Sequence, residues 1–105
     1  MGIIWGAGFV QKRKLALAAT LHDPRYRTLI GLLVEARLAA GLSQAELGER
    51  LDRPQSFIGK IETLQRRLDA LELFDLVSAL DLSADVFAAK AAPKLGGRRS
   101  RQKRS

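Results

Sequence analysis

The stretch SQAELGERLDRPQSFIGKIE, Ser43–Glu62, holds two short helical periods separated by one break. Ser43 and Glu46 stand three apart as a capping box: the hydroxyl takes one orphan backbone N–H and the carboxylate reaches back for another. Leu47 and Leu51 then repeat at four-residue spacing on one face, leaving Glu46, Glu49 and Arg50 towards water. Asp52-Arg53-Pro54 interrupts the period, because Pro54 has no N–H to give a preceding turn and drives Arg53 out of the α region. Proline fits a helix's first turn, so a second helix starts at about Pro54 or Gln55. It buries Ile58 and Ile61, and it turns Gln55, Ser56, Gly59 and Lys60 outward.

That outer side is chemically suited to the edge of a base pair. Glutamine offers a donor and an acceptor, lysine reaches guanine or phosphate, and serine and glycine keep the ridge narrow enough for a groove. With these residues in view the segment resembles the helix-turn-helix of the lambda-repressor-like proteins, the Cro-type or xenobiotic-response-element family. The resemblance rests on Gln44 opening the first helix, the small Gly48 one place after Leu47, and the branched pair Ile58 and Ile61. It runs from about His22 to Phe87. It implies a five-helix all-α domain and a close crossing of two helices at Gly48. Gln44 falls where the family hydrogen-bonds a phosphate, and Gln55, Ser56, Gly59 and Lys60 fall where base-contacting side chains are found. An Arg at position 37 paired with Glu62, as in the family, is a structural ion pair. Two departures are visible: the turn position usually held by Gly is Asp52, and Leu64 stands where Gly commonly follows the second helix. The loop leading to Arg66 and Arg67 is therefore expected to differ.

Upstream, Asp23-Pro24 is an N-cap followed by proline at the first helical position. Tyr26, Ile30, Leu33 and Arg37 step along one face, and Gly41 closes that helix. Downstream, Asp69 and Glu72 repeat the capping-box spacing. Leu71, Phe74, Val77 and Leu80 are read as the core stripe of a fourth helix. Ser83 and Asp85 start a short fifth, with Val86 and Phe87 facing inward.

A chain of 105 residues suits one domain,. Three segments are expected: 1–21, an extension that is apolar and then basic; 22–89, the helical domain; and 90–105, a disordered basic tail, since Ala-Ala-Pro-Lys, Gly96-Gly97 and RRSRQKRS offer little to bury,. In MGIIWGAGFV the charge follows the apolar run instead of preceding it, which argues against a secretory signal, and the run is too short to span a bilayer,. Three readings of the extension stay open: a loose terminus, translated sequence ahead of the true start, or a partner or membrane-surface contact made by Ile3, Ile4, Trp5 and Phe9. Lys12–Leu21 could form a short helix.

The absence of cysteine rules out disulfides and thiolate metal sites and agrees with a reducing cytoplasm, and the single His22 cannot build a metal site,. No metal or other cofactor is expected, and no enzyme: there is no phosphate loop, and the carboxylates are explained as caps or solvated faces.

The net charge of +7 is unevenly placed. Residues 1–28 carry five Lys/Arg against one acid, residues 29–89 six against ten, and residues 90–105 seven against none, giving +4, −4 and +7. The few core cations gather at or beside the second helix of the motif, at Arg53, Lys60, Arg66 and Arg67. Arg53, Arg66 and Arg67 are thus candidates for the DNA backbone, with the tail adding non-specific attraction.

The sequence is thereby expected to encode a cytoplasmic, nucleoid-associated regulator that binds double-stranded DNA sequence-specifically. It is expected to act as a homodimer on a two-fold site, through Leu73, Leu76 or the last helix, without a membrane role. The alternative is a protein-interaction module, such as the antitoxin of a toxin–antitoxin pair or a binder of a polymerase subunit.

Overall fold

The structure, a computed structural model, describes residues 21–96. The expected short helix at Lys12–Leu21 and the contacts of Ile3, Ile4, Trp5 and Phe9 lie outside that range, apart from Leu21, whose backbone is helical. Among the described residues five whole helices follow one another without a strand: α1 Pro24–Ala39, α2 Gln44–Arg50, α3 Gln55–Glu62, α4 Ala70–Ala79 and α5 Ala84–Leu95.

Three of the five starts are fixed by side-chain caps that the sequence carries, while Pro54 and Ser83 open α3 and α5 without a side-chain cap bond. The Asp23 carboxylate accepts from the Arg25 N–H with Pro24 in the first turn, and complete capping boxes open α2 at Ser43–Glu46 and α4 at Asp69–Glu72. The stops share a geometry. Gly41 (φ +73°), Asp52 (+58°), Leu64 (+64°) and Asp81 (+62°) take the left-handed conformation after α1 to α4, and Gly96 (+71°) does so after α5. After α1 the Leu42 N–H reaches the Arg37 carbonyl at 3.2 Å and the Gly41 N–H reaches that of Leu38 at 3.0 Å. This double bond pattern covers carbonyls the helix leaves unpaired. It recurs with Asp52, Leu64 and Asp81 in the glycine's place.

The core gathers Ile30 and Leu33 from α1, Leu47 from α2, Ile58 and Ile61 from α3, and Leu76, Val77 and Leu80 from α4. Tyr26 ties in the long α3–α4 loop, its hydroxyl accepting the Leu68 N–H at 2.8 Å; burial of the ring raises the phenol's pKa above its ordinary value. Arg50 is exposed, as expected, and also donates to the Ala79 carbonyl at 2.7 Å and to Asp81 at 3.2 Å, so it closes the C-terminal end of α4.

Three expectations are corrected. In α4, Leu71 and Phe74 do not belong to the core: they are 75% and 57% exposed, and the buried stripe is Leu76, Val77 and Leu80 with Leu73 packed against it. Val86 is likewise exposed, while Phe87 is buried. The domain also does not end at Ala89. Helix α5 continues to Leu95, because Phe87, Ala91 and Leu95 repeat every four residues and face the core, with α5 packed on α1. A basic tail expected from residue 90 therefore cannot begin before Gly96, and residues 97–105 lie outside the described range.

Candidate nucleic-acid interface

Helices α2 and α3 are packed as a crossed pair, and Gly48 shows why the crossing is close. A Cβ on Gly48 would stand 2.7 Å from the Arg53 carbonyl oxygen, which belongs to the turn and cannot swing away like a side chain. The turn is held by the Arg53 N–H donating to the Gly48 carbonyl at 2.8 Å, a bond made possible by Asp52 at positive φ. Pro54 then caps α3 and sets its direction.

Helix α3 has an inner face of Phe57, Ile58 and Ile61, all buried. Gln55, Ser56 and Lys60 are exposed on the other side, with Gly59 between them. Eight residues at 1.5 Å each make a rod about 12 Å long, whose outer ridge carries small and polar groups only.

A hydrogen-bond chain runs from the core to that ridge. Arg37, buried in α1, grips the Glu62 carboxylate with two bonds, Nε to Oε2 at 2.7 Å and Nη2 to Oε1 at 2.9 Å, and gives Nη1 to the Leu42 carbonyl at 2.8 Å. This is the ion pair the family resemblance implies, bidentate and satisfied on both sides. Gln44 Nε2 also donates to Glu62 Oε1 at 2.8 Å, and the Gln44 carbonyl accepts from Gln55 Nε2 at 2.6 Å. Gly59 leaves room for the last link: a Cβ there would meet Gln55 Nε2 at 3.3 Å and Gln44 Oε1 at 3.4 Å. Gly59, expected among base-contacting positions, offers space in place of a side-chain group. Gln44 has one amide N–H left over, and Gln55 keeps its carbonyl and one N–H.

The cations are not equivalent. The Lys60 ammonium is exposed and makes no hydrogen bond among the described residues, and Arg67 is exposed. Arg66, expected to be a backbone contact, is occupied by protein: Nη1 and Nη2 meet the two Glu72 oxygens at 2.8 Å each, and Nη1 also donates to the Arg67 carbonyl at 3.0 Å. The Arg66 bonds, ahead of its own charge and the Asp69 N–H, hold the Glu72 carboxyl below the usual glutamate range. Arg53 stacks on the Phe57 ring, its guanidinium carbon 4.2 Å from the centroid. Phe57 was assigned no role in the sequence; the one signal was an aromatic four residues after an arginine and inside a predicted helix.

Two helices crossing at a glycine, the second with a locked apolar face and a narrow polar ridge, define a helix-turn-helix protein. The helix-turn-helix family model matches residues 33–87. Among solved structures, an XRE-family like protein from Pseudomonas syringae pv. tomato str. DC3000 is similar, with 42% identity, 73% of this chain and 94% of that chain covered, and a TM-score of 0.66. Among curated proteins none matches. The chain belongs to the XRE family of helix-turn-helix proteins, a DNA-binding, non-enzymatic type of fold. No helix among the described residues is long and apolar enough to cross a membrane.

Proposed function

We propose that the protein is a sequence-specific double-stranded DNA-binding transcriptional regulator that places α3 in the major groove. The observation that carries this reading is the outer ridge of α3: Gln55, Ser56 and Lys60 are exposed while the opposite face is fixed in the core. Recognition helices contact base edges with their N-terminal residues while the preceding helix crosses the backbone. Gln55 and Ser56 lie at that N-terminal end. Lys60, one turn on, reaches guanine or phosphate, and Gly59 lets the ridge approach closely. Gln55 is braced by Gln44, so its remaining donor and acceptor arrive pre-oriented for an adenine edge,. Gln44, Arg53 and Arg67 supply backbone contacts, which set register without reading sequence. The regulator acts as a homodimer on a two-fold site, in the cytoplasm. Leu76 cannot take part in that contact without unfolding α4, since it is 3% exposed.

One feature favours a second reading, the protein-interaction module. An apolar groove of about 340 Å³ runs between α1 and α5, lined by Leu32, Ala36, Leu82, Val86 and Phe87 among others, and away from the α3 ridge.

Selection of bound duplexes from a random pool, followed by binding of Gln55→Ala and Lys60→Ala to the selected site, separates the two. Each substitution is expected to weaken specific binding by roughly 1–3 kcal/mol without loss of helicity. A pool that yields no preferred sequence, or variants that discriminate as the wild type does, would defeat the regulator reading.

A further inference from the structure

The cluster at the start of α3 contains more charge than the fold consumes. Glu72 brings one carboxylate to two guanidiniums: Arg66 at 2.8 Å and Arg53 at 4.0 Å, both measured to Oε2. Its side chain is 13% exposed, whereas those of Arg53 and Arg66 are 46% and 37% exposed, so the negative group lies beneath and the positive heads face outward. Both guanidiniums stand over the same Phe57 ring, at 4.2 and 4.7 Å from its centroid. Arg66 spends its terminal nitrogens on Glu72 and the Arg67 carbonyl. Arg53 makes no hydrogen bond from its guanidinium among the described residues; its approach to Glu72 is beyond hydrogen-bond reach. Its five N–H donors, on a planar fork held over the Phe57 ring and beside the Glu72 carboxylate, therefore remain available,.

We infer that Arg53 is a preorganised site for one phosphate of the DNA backbone, that Phe57 is its positioning residue, and that Arg66, locked on Glu72, is the fixed wall of the site. This rests on the DNA-binding reading above and assigns a function to Phe57 and Glu72, which that reading leaves unused. The chemistry is that of an anionic oxygen pair meeting a planar guanidinium fork, which phosphate fits bidentately. Arg53 leaves the chain immediately before the cap of α3, in the turn between the helix that crosses the backbone and the helix that enters the groove. An unanchored arginine would surrender rotamer freedom on binding; one already laid on a ring surrenders less. Glu72 cannot neutralise both cations, so a net positive charge is left for the ligand.

The test uses the full chain and a random-sequence 30-base-pair duplex, so that no operator is needed, with affinity measured across salt concentration. Arg53→Ala is expected to lower the slope of log affinity against log salt by about 0.9, which amounts to about eightfold at 0.1 M salt. Phe57→Leu, which keeps an apolar side chain in the core, is expected to give about a third of that loss, and Phe57→Tyr to restore wild-type binding. In the Arg53→Ala background, Phe57→Leu should cost nothing further. Arg66→Ala should lower the melting temperature and, by leaving Glu72 to Arg53 alone, lower the salt slope by less than Arg53→Ala does. A purely structural cluster would shift melting temperatures only, and an unchanged slope in Arg53→Ala overturns the site. A Phe57→Leu loss that persists without Arg53 overturns the positioning role, and a slope change in Arg66→Ala equal to that of Arg53→Ala overturns the division between the two arginines. Wild-type protein that shows no salt-dependent affinity for the duplex would remove the DNA-binding reading itself, and this site with it.

Discussion

At the scale of single residues, the ion pair Arg37–Glu62 shows how a buried charge is kept. Taking two ions out of water costs several kcal/mol each, and the cost is offset only where geometry is good and the remaining donors are used. Both conditions hold: two charge-assisted bonds join the pair, the Leu42 carbonyl takes a third Arg37 donor, and Gln44 gives Glu62 a further N–H. The pair links α1 to the last residue of α3, and through Gln44 it links the core to Gln55. Removing one partner is worse than removing both. Arg37→Met is expected to destabilise the domain by about 3–5 kcal/mol, because it strands the Glu62 carboxylate, and Arg37→Met with Glu62→Leu should recover most of that loss. Urea unfolding of the two variants checks this; a double variant no more stable than the single one would mean the charges contribute more than their mutual compensation. The pair was legible in the sequence only through family resemblance, since an arginine on an apolar helix face names no partner. The Gln44–Gln55 bond was not legible at all, because it joins two residues eleven positions apart across a crossing whose closeness depends on Gly48.

At the scale of elements, starts were easier to read than stops. A capping box is a short-range pattern, and Ser43–Glu46 and Asp69–Glu72 formed where the spacing put them. The stops at Asp52, Leu64 and Asp81 use non-glycine residues at positive φ: aspartate enters that region more readily than most residues but signals it less plainly than glycine, and Leu64 is held there by the surrounding packing,. Asp52 is exposed, with nothing to lose but its side chain. Asp52→Gly is expected to raise stability by about 0.5–1 kcal/mol, as relief of the left-handed strain outweighs the extra freedom of glycine in the unfolded chain. Leu64→Gly should not help similarly, because Leu64 packs against the core and its removal forfeits that burial,. Thermal melts of the two variants side by side decide the matter: a rise for Leu64→Gly equal to that for Asp52→Gly would show that backbone strain dominates at both. The misread stripe of α4 has a different cause. ALELFDLVSA is apolar at positions 71, 73, 74, 76 and 77, so two helical stripes compete, and periodicity cannot say which one the neighbouring helices cover,.

At the scale of the whole molecule, the fold follows from few signals, but its C-terminal limit depends on a contact between its two ends. Phe87, Ala91 and Leu95 form a four-residue repeat ending at Gly96, a helical stripe and stop that composition concealed, since lysines, alanines and Pro93 read as a tail. Leu95 shares a surface hollow with Asp23, Tyr26 and Leu29, so the last turn of α5 closes over the beginning of α1. The electrostatic division of the chain then has to be cut at a different place. Residues 29–89 carry −4, yet the cations of the proposed interface are gathered beside α3, and the strongest positive run, RRSRQKRS, begins after Gly97. A chain ending at Gly96 keeps Ala91 and Leu95 and is expected to melt as the full chain does. Against random duplex DNA it should lose affinity and show a shallower salt slope, while selecting the same sequence from a pool. A chain ending at Ala89 should also lose stability, by about 1–3 kcal/mol, for the apolar area it uncovers on α1. Melting curves and pool selections on the two truncations separate the contributions: equal stability would remove the structural role of the last turn, and a selected motif that disappears with residues 97–105 would move sequence reading from α3 to the tail.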